Sequence, residues 1–399
     1  MAKLPQRKYA NPRHLQRLKR WQQRLRHNPQ LAFVLGLLAI FLSIVLVALN
    51  PGQHPFETQL VASKISFTTD EPSTHFLKDI RPVPAITIRG KQNQALRLSG
   101  KFSSETLPEL SGISDLTIEL PYPDSSFQFQ ADVDKQQCLG GDIEINSLQL
   151  AKQTHVTELS YRSYNRILDL AFEQDDNISE DALSSLELIL NGCLSMMVEG
   201  YRIPELNLEE SDTTMPLQLE FLPASSDWQF RLPVLGSLSV DLPTMISDVN
   251  AIEWLWGDLE VRDVKFLDRR TTGSGVEDYV DYSTIQSGIV RMVDQELEIG
   301  SNQFLIVAPS GLQRIRTFQL LDSPDGSDQA LQGIEIRAVG KTSEVQVGLD
   351  TDFPIRGIRS NILAQLVPPN TMVAIVSFSG AMVATLLSWL VDNLFKSSS

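Results

Sequence analysis

Two long uninterrupted apolar runs lie near the ends of the chain. The first extends from Leu31 to Leu49 and the second from Thr371 to Val391, and neither contains a charged residue. Each run has about the length of a helix that crosses a hydrocarbon core of ~30 Å. We therefore predict transmembrane helices over residues 31–50 and 371–391. The alternatives are a cleaved signal peptide for the first run and a buried helix for the second.

The second run differs from the first because small and polar residues recur on one helical face. At spacings of three and four residues, this face holds Ser377, Gly380, Ala381, Ala384, Thr385 and Ser388. Small residues allow transmembrane helices to approach closely. We predict that the face packs against the first span or a second copy. The alternative is that it lines a pore in an oligomer.

Between the two runs, apolar and polar residues alternate over short segments, which is typical of half-buried strands. Gly, Pro, Asp and Ser separate these segments, as antiparallel connections require. The candidate strands are 85–89, 96–102, 116–120, 127–133, 143–150, 168–172, 217–222, 228–232, 238–242, 259–266, 304–307, 315–320, 334–339 and 345–349. The sequence thus predicts a mainly β fold: an antiparallel sandwich-like or layered domain over residues 51–368, in one or two lobes, flanked by two transmembrane helices.

Two segments of this middle region show helical signals instead. In the first, residues 179–190, Ser179 is a candidate cap and acidic residues fill the first turn, while Asn191-Gly192 is a candidate terminator. Residues 244–255 form the second helix candidate. The acidic, Pro-containing stretch 204–216 is the candidate boundary between two lobes.

Charge is distributed unevenly along the chain. Residues 1–30 carry nine Lys or Arg and no acidic residue, while the rest carries 25 basic and 49 acidic side chains. An acidic middle domain repels polyanions, so nucleic acid is not an expected partner. Positive charge before the first span places the N-terminus in the cytoplasm, and a second crossing returns the tail, residues 392–399, to the same side.

The basic segment also has a helical pattern. Over residues 12–27, three leucines and Trp21 recur at spacings of three and four. Such a helix rests on anionic lipid, where each cation gains on the order of 1 kcal/mol. The predicted lipid contacts are Arg13, Arg17, Lys19, Arg20, Arg24 and Arg26. The alternatives are a disordered basic tail and a segment that contacts nucleic acid or a cytoplasmic partner.

The two cysteines, Cys138 and Cys193, both belong to the predicted external domain. A disulfide between them closes a loop of about 55 residues and contributes roughly 4 kcal/mol on the chain-entropy estimate. Two separate buried thiols are the alternative.

Residues that carry chemistry are scarce and scattered. Beyond the first span there are three histidines, far apart in the sequence, and we find no zinc-binding, phosphate-loop or nucleophile-elbow motif. We therefore predict no metal and no cofactor. Acidic clusters such as residues 322–328 are interpreted as solvated loops, with loose Ca²⁺ binding as the alternative. The Trp254-Leu255-Trp256 group is interpreted as core, with a membrane-surface or binding role as alternatives.

Together these patterns favour a non-enzymatic, membrane-anchored envelope protein, such as a scaffold, assembly factor or accessory subunit. The alternatives are a two-span pore or channel subunit and a carrier that binds lipid or polysaccharide. The expected partners are membrane lipids and either other proteins or further copies of the chain. A low cysteine count and a single glycosylation sequon at Asn177 favour a bacterial inner membrane, with the domain in the periplasm.

Overall fold

The computed structural model describes residues 29–73, 75–92, 95–131, 140–174, 183–206, 215–243, 254–271, 279–308, 311–321, 332–361 and 369–396. The chain forms two compact units. A helical unit comprises the residues through His54 together with those from Arg359 onward, and a β unit comprises Pro55–Ile358.

The helical unit is a pair of antiparallel helices. They are α1 (Pro29–Leu49) and α2 (Pro369–Lys396). The rings of Phe41 and Phe378 meet edge to face at 5.9 Å between centroids, and Phe33 and Trp389 line one small cavity between the helices. The start of α1 therefore lies beside the end of α2.

The two helices meet along an apolar seam. Less exposed positions recur every three or four residues on both helices, as in coiled-coil packing. On α1 they are Val34, Leu35, Leu37, Leu38, Phe41, Ile44, Val45 and Ala48, and on α2 they are Met372, Ile375, Val376, Ser379, Met382, Val383, Leu386 and Leu390. By length and composition, Asn370–Asp392 is long and apolar enough to cross a membrane, whereas the apolar stretch Ala32–Ala48 is shorter. Crossing by both helices stays a prediction.

The two chain segments that join the helices to the β unit are tied together. An antiparallel bridge links Pro51 to Asn361, and the backbone N–H of Gly52 donates to the carbonyl of Ser360 at 3.3 Å. Entry to and exit from the β unit therefore occur at one place.

The strands of the β unit account for most of its described residues. They are β1 (His54–Ala62), β2 (Lys64–Thr69), β3 (Leu77–Ile80), β4 (Ala85–Gly90), β5 (Leu96–Ser103), β6 (Asp115–Ile118), β7 (Ser126–Ala131), β8 (Asp142–Gln149), β9 (His155–Arg162), β10 (Ile167–Glu173), β11 (Ser185–Asn191), β12 (Leu194–Glu199), β13 (Leu217–Pro223), β14 (Asp227–Arg231), β15 (Leu235–Asp241), β16 (Leu259–Lys265), β17 (Leu267–Thr271), β18 (Tyr279–Ser283), β19 (Ile285–Met292), β20 (Gln295–Ile299), β21 (Phe304–Ala308), β22 (Leu312–Leu321), β23 (Gly333–Thr342), β24 (Glu344–Gly348) and β25 (Pro354–Arg359). Short 3-10 helices cover Pro108–Gly112 and Pro204–Leu206.

One large antiparallel sheet organises the β unit. Its 16 strands follow the order β20-β19-β1-β23-β22-β16-β2-β9-β10-β15-β4-β7-β12-β13-β5-β6. Smaller sheets have the orders β14-β11-β8-β3, β17-β18 and β21-β24-β25. The mainly β, antiparallel fold predicted from the alternation is confirmed, and all 14 candidate strands overlap observed strands.

Aromatic side chains join the four-stranded sheet to the large sheet. Phe230 of β14 lies 5.6 Å from Phe127 and 6.0 Å from Phe129, both on β7. Trp228 of β14 meets Phe221 of β13 at 5.6 Å. Since the inner faces of both sheets supply these rings, this part of the unit is a β-sandwich.

A second aromatic cluster continues the core toward the other end of the large sheet. Phe67 of β2, Phe76 and Phe318 of β22 are fully buried, with ring centroids 6.0 to 6.3 Å apart. The stretch 204–216 does not divide this core. It lies between β12 and β13, which pair directly from Leu194↔Phe221 to Val198↔Leu217.

The predicted helix over 179–190 is wrong where the structure describes it. Residues 185–191 form β11, which pairs with β8 on one side and β14 on the other. Leu186, Leu188 and Leu190 alternate into the core, so burial on the sandwich outweighs the local capping signals. The basic helix predicted over 12–27 and most of the candidate over 244–255 lie outside the described residues.

Candidate functional site

The described part of the β unit contains a groove of about 1170 Å³ with charged walls, called here the charged groove. The start of β1, β16, the β19–β20 hairpin, β22 and β23 line it. The lining residues are Pro55, Phe56, Glu57, Asp70, residues 260–263 and 291–296, Leu312, Gln313, Arg314, Arg316, Val339, Gly340 and Lys341.

The groove lies where β16 separates from β22. The register between these strands covers Leu259↔Ile315 and Glu260↔Arg314. Beyond this point β16 follows β2, with a bulge between Arg262 and Lys265. A bulge bends its strand and increases the local twist, and residues 260–263, beside this bulge, line the groove.

A strained turn forms part of the groove wall. Val293 and Asp294, the two residues that connect β19 to β20, have φ values of 50° and 57°. This conformation suits a two-residue hairpin but is rare for a β-branched residue. Asp263, at the β16 bulge, also has a positive φ of 53°. Residues held in such conformations cluster at functional sites, which favours the groove as the candidate site.

Side chains of both signs line the groove. Its cations are Arg262, Arg291, Arg314, Arg316 and Lys341, and its acids are Glu57, Asp70, Glu260, Asp263, Asp294 and Glu296. Arg314 forms a two-point ion pair with Asp258, at 2.7 and 2.8 Å, and this hydrogen bonding raises the pKa of Arg314. Arg291 pairs with Glu296 across the β19–β20 hairpin at 3.1 Å.

One groove cation has no such partner. Arg316 is exposed, and it makes no ion pair or side-chain hydrogen bond within the part of the chain that the structure describes. A wall of paired charges with an unpaired guanidinium suits a polar ligand of mixed charge. Such a ligand is held by ion pairs and hydrogen bonds rather than by apolar burial.

A second polar cluster lies on β9, β10 and β15. Arg162 contacts Asp169 at 2.7 Å, and the hydroxyl of Ser239 donates to the same carboxylate. Desolvation and the nearby charge of Asp169 raise the pKa of Asp241, against the opposing effect of Arg162. Since these side chains find their polar partners within the sheet, we interpret the cluster as structural.

Lys64 forms a comparable network with Glu158 and Asp268. Its ammonium lies 2.9 and 3.3 Å from their carboxylates. Burial disfavours the charge, but the hydrogen bonds and the attraction of both carboxylates outweigh it and raise the pKa of Lys64. The network joins β2, β9 and β17.

Cys193 is buried and is not a free thiol in the structure. The chain has one other cysteine, Cys138, which lies outside the described residues. An isolated β-bridge pairs the backbones of Gly140 and Cys193. Gly140 is only two positions after Cys138 in the sequence. This placement favours the predicted disulfide, and the pairing itself stays a prediction.

One residue of the predicted helix-packing face, Thr385, lines the cavity between α1 and α2, and packing through the whole face stays a prediction. Ser377, Gly380, Ala381, Ala384, Thr385 and Ser388 are all exposed on α2, and the buried position of the helix is Ser379. The hydroxyl of Thr385 donates to the carbonyl of Ala381 at 2.9 Å, which satisfies it within the helix. The seam combines small buried residues, Ala48 and Ser379, with larger, partly exposed apolar side chains.

The remaining predicted sites have mixed outcomes. The six predicted lipid-contact residues, Arg13 to Arg26, and the acidic loop 322–328 lie outside the described residues. Trp254 and Leu255 are buried, as the core interpretation requires, whereas Trp256 is half exposed. Among the described residues, no group of three His, Cys, Asp or Glu is placed to hold a metal ion. The predicted absence of metal and cofactor stays a prediction.

Comparison of the chain with protein-family models, curated proteins and solved structures found no match. Sequence reasoning missed the charged groove because its lining comes from six segments that are distant in the sequence. The one local signal was the alternation of arginine with apolar residues in Leu312–Phe318, which marks a strand with a cationic face.

Proposed function

We propose that this chain is a non-enzymatic protein of a cell envelope, anchored in a membrane by α1 and α2, whose β unit binds a partner protein outside the cytoplasm. The observation that carries the anchoring is the outward face of the helix pair. Large apolar side chains are exposed on both helices, including Ile40 and Leu46 on α1 and Val373 and Leu387 on α2. Lipid would cover a surface of this kind, which water does not favour.

The antiparallel packing supports two crossings. Two helices side by side return the chain to the side from which it came, and the bridge between Pro51 and Asn361 ties the two links to the β unit. The nine basic residues before α1 favour a cytoplasmic N-terminus. The β unit would then face the opposite side.

The charged groove supports the binding role. Its walls combine paired charges, the exposed Arg316 and a strained hairpin turn. These features suit a protein segment that carries both signs of charge.

Two measurements test the anchoring. Membranes that contain the protein are washed at alkaline pH, and a cysteine added after Ser399 is labelled in intact cells with an impermeant reagent. We expect the protein to stay in the membrane and the added cysteine to be protected. Release by the wash contradicts anchoring, and labelling from outside contradicts two crossings.

A matched pair of variants tests the groove. Purification in native detergent with mass analysis identifies stoichiometric protein partners of the wild type and of Arg316→Glu. We expect Arg316→Glu to lose a partner that is retained by Arg89→Glu, which reverses an exposed charge on β4, away from the groove. Equal retention by both variants contradicts the groove as the binding site.

A pore is the second candidate function, because the small and polar residues of α2 are exposed. Ion flux through reconstituted bilayers, abolished by Ala381→Leu and unchanged by Val373→Leu, would favour the pore. Co-purifying lipid or polysaccharide without a protein partner would favour a carrier.

A further inference from the structure

The β24–β25 hairpin exposes more apolar surface than a water-facing hairpin requires. Leu349, Phe353 and Ile355 are 67, 72 and 57 % exposed, and they fall within seven consecutive residues. Scattered single apolar residues are common on protein surfaces, whereas a contiguous group marks an interaction site. β25 is also an edge strand, which pairs with β24 at the end of the three-stranded sheet.

The position of the hairpin in the chain identifies the partner. β25 ends at Arg359, and the next two residues, Ser360 and Asn361, are tied to the segment that follows α1. Ser360 is five positions after Ile355, and a fully extended chain over five positions spans roughly 17 Å. The apolar group is therefore tethered closely to the links through which both helices join the β unit.

The charges around the apolar group suit the headgroup region of a bilayer. Arg356 and Arg359 are exposed on β25, and arginine keeps its charge at the headgroups while its stem lies along apolar surface. The hairpin turn also carries two acids, Asp350 and Asp352. The carboxylate of Asp350 accepts hydrogen bonds from the hydroxyl of Thr351 and from the backbone N–H of Asp352, so part of its hydrogen-bonding capacity is used within the turn.

We infer that Leu349, Phe353 and Ile355 form a third membrane contact, which inserts at the boundary between headgroups and acyl chains and limits the motion of the β unit relative to the bilayer. Such a contact is shallow, because the carboxylates of the turn remain in the hydrated layer. The inference rests on the proposed membrane anchoring.

The test uses the full chain in phosphatidylcholine vesicles. An environment-sensitive fluorophore is attached at Phe353→Cys and, in a matched control, at Tyr164→Cys, since Tyr164 is 81 % exposed in the β9–β10 turn. Protein without an added cysteine is treated with the same fluorophore, and its signal gives the labelling of the native cysteines. We expect blue-shifted emission at position 353 and several-fold stronger quenching there by lipids that carry a shallow spin label than at position 164.

The outcomes separate this inference from the proposed function. If the protein floats with the vesicles after an alkaline wash but position 353 is quenched no more than position 164, the hairpin inference falls and the anchoring stands. Blue-shifted emission without lipid quenching, together with crosslinks between copies through position 353, would show that the edge strand binds a second copy and would overturn the lipid contact. If the protein does not float, both fall. Ile355→Cys repeats the measurement if Phe353→Cys does not fold.

Discussion

The packing of the four-stranded sheet on the large sheet depends on Phe129. This side chain is fully buried on β7 and has ring centroids within 6.3 Å of Phe127, Phe221 and Phe230. Replacing Phe129 by Ala removes three ring contacts at once and leaves a cavity between the two sheets.

The expected cost follows from the burial and the ring contacts. Core Phe→Ala substitutions cost about 3–5 kcal/mol in free energy of unfolding, and aromatic pairs contribute about 0.5–1.5 kcal/mol each beyond area burial. Since Phe129 has no exposed surface and three ring partners, we expect a value in the upper part of the range, about 4–5 kcal/mol. This is a large share of the ~5–15 kcal/mol that stabilises a typical domain.

Urea unfolding of the full chain in detergent measures this cost. Trp228 lies 5.6 Å from Phe221 in the same core, so tryptophan fluorescence reports the loss of core packing on unfolding. With an m value of about 3 kcal/mol/M, the midpoint should fall by roughly 1.5 M. The control Tyr164→Ala removes an exposed aromatic side chain, and its free energy of unfolding should change by no more than about 0.5 kcal/mol. A loss below about 1 kcal/mol for Phe129→Ala, or an equal loss in the control, would refute the sandwich packing.

Three further predictions address the charges and the cysteines. The folded state raises the pKa of Asp241, so protonated Asp241 stabilises the fold. This contribution to the free energy of unfolding is fully present below the ordinary pKa of an aspartate and is lost as the pH rises through the raised pKa. Asp241→Asn should therefore increase thermal stability more at pH 7 than at pH 3, and equal effects at both pH values would contradict this sign. Lys64→Met should cost about 1 kcal/mol in urea unfolding because two carboxylates lose their cation, and a stability gain would contradict the network. Cys193→Ser and Cys138→Ser should each lower the free energy of unfolding by up to roughly 4 kcal/mol, with no further loss in the double variant, whereas additive losses would indicate separate thiols.

The candidate site shows how far local patterns extend. Alternation identified β16 and β22, because the period of two is a property of consecutive residues. It did not place Arg314 or Arg316 near the β19–β20 hairpin, since that proximity depends on strand order. The stripe on α2 was found by its spacing, yet its exposure depends on which face meets α1.

The sequence by itself determined the elements that depend on nearby residues. The uncharged runs from Leu31 and from Thr371 form helices, whose backbone hydrogen bonds lie within the run, and alternating segments form strands, because a period of two puts the apolar side chains on one face. Tertiary structure decided the rest. Residues 185–190 carried helical and alternating signals together, and pairing with β8 and β14 selected the strand. The charged groove lies where the pairing of β16 with β22 ends, and that strand order depends on contacts between residues that are far apart in the sequence.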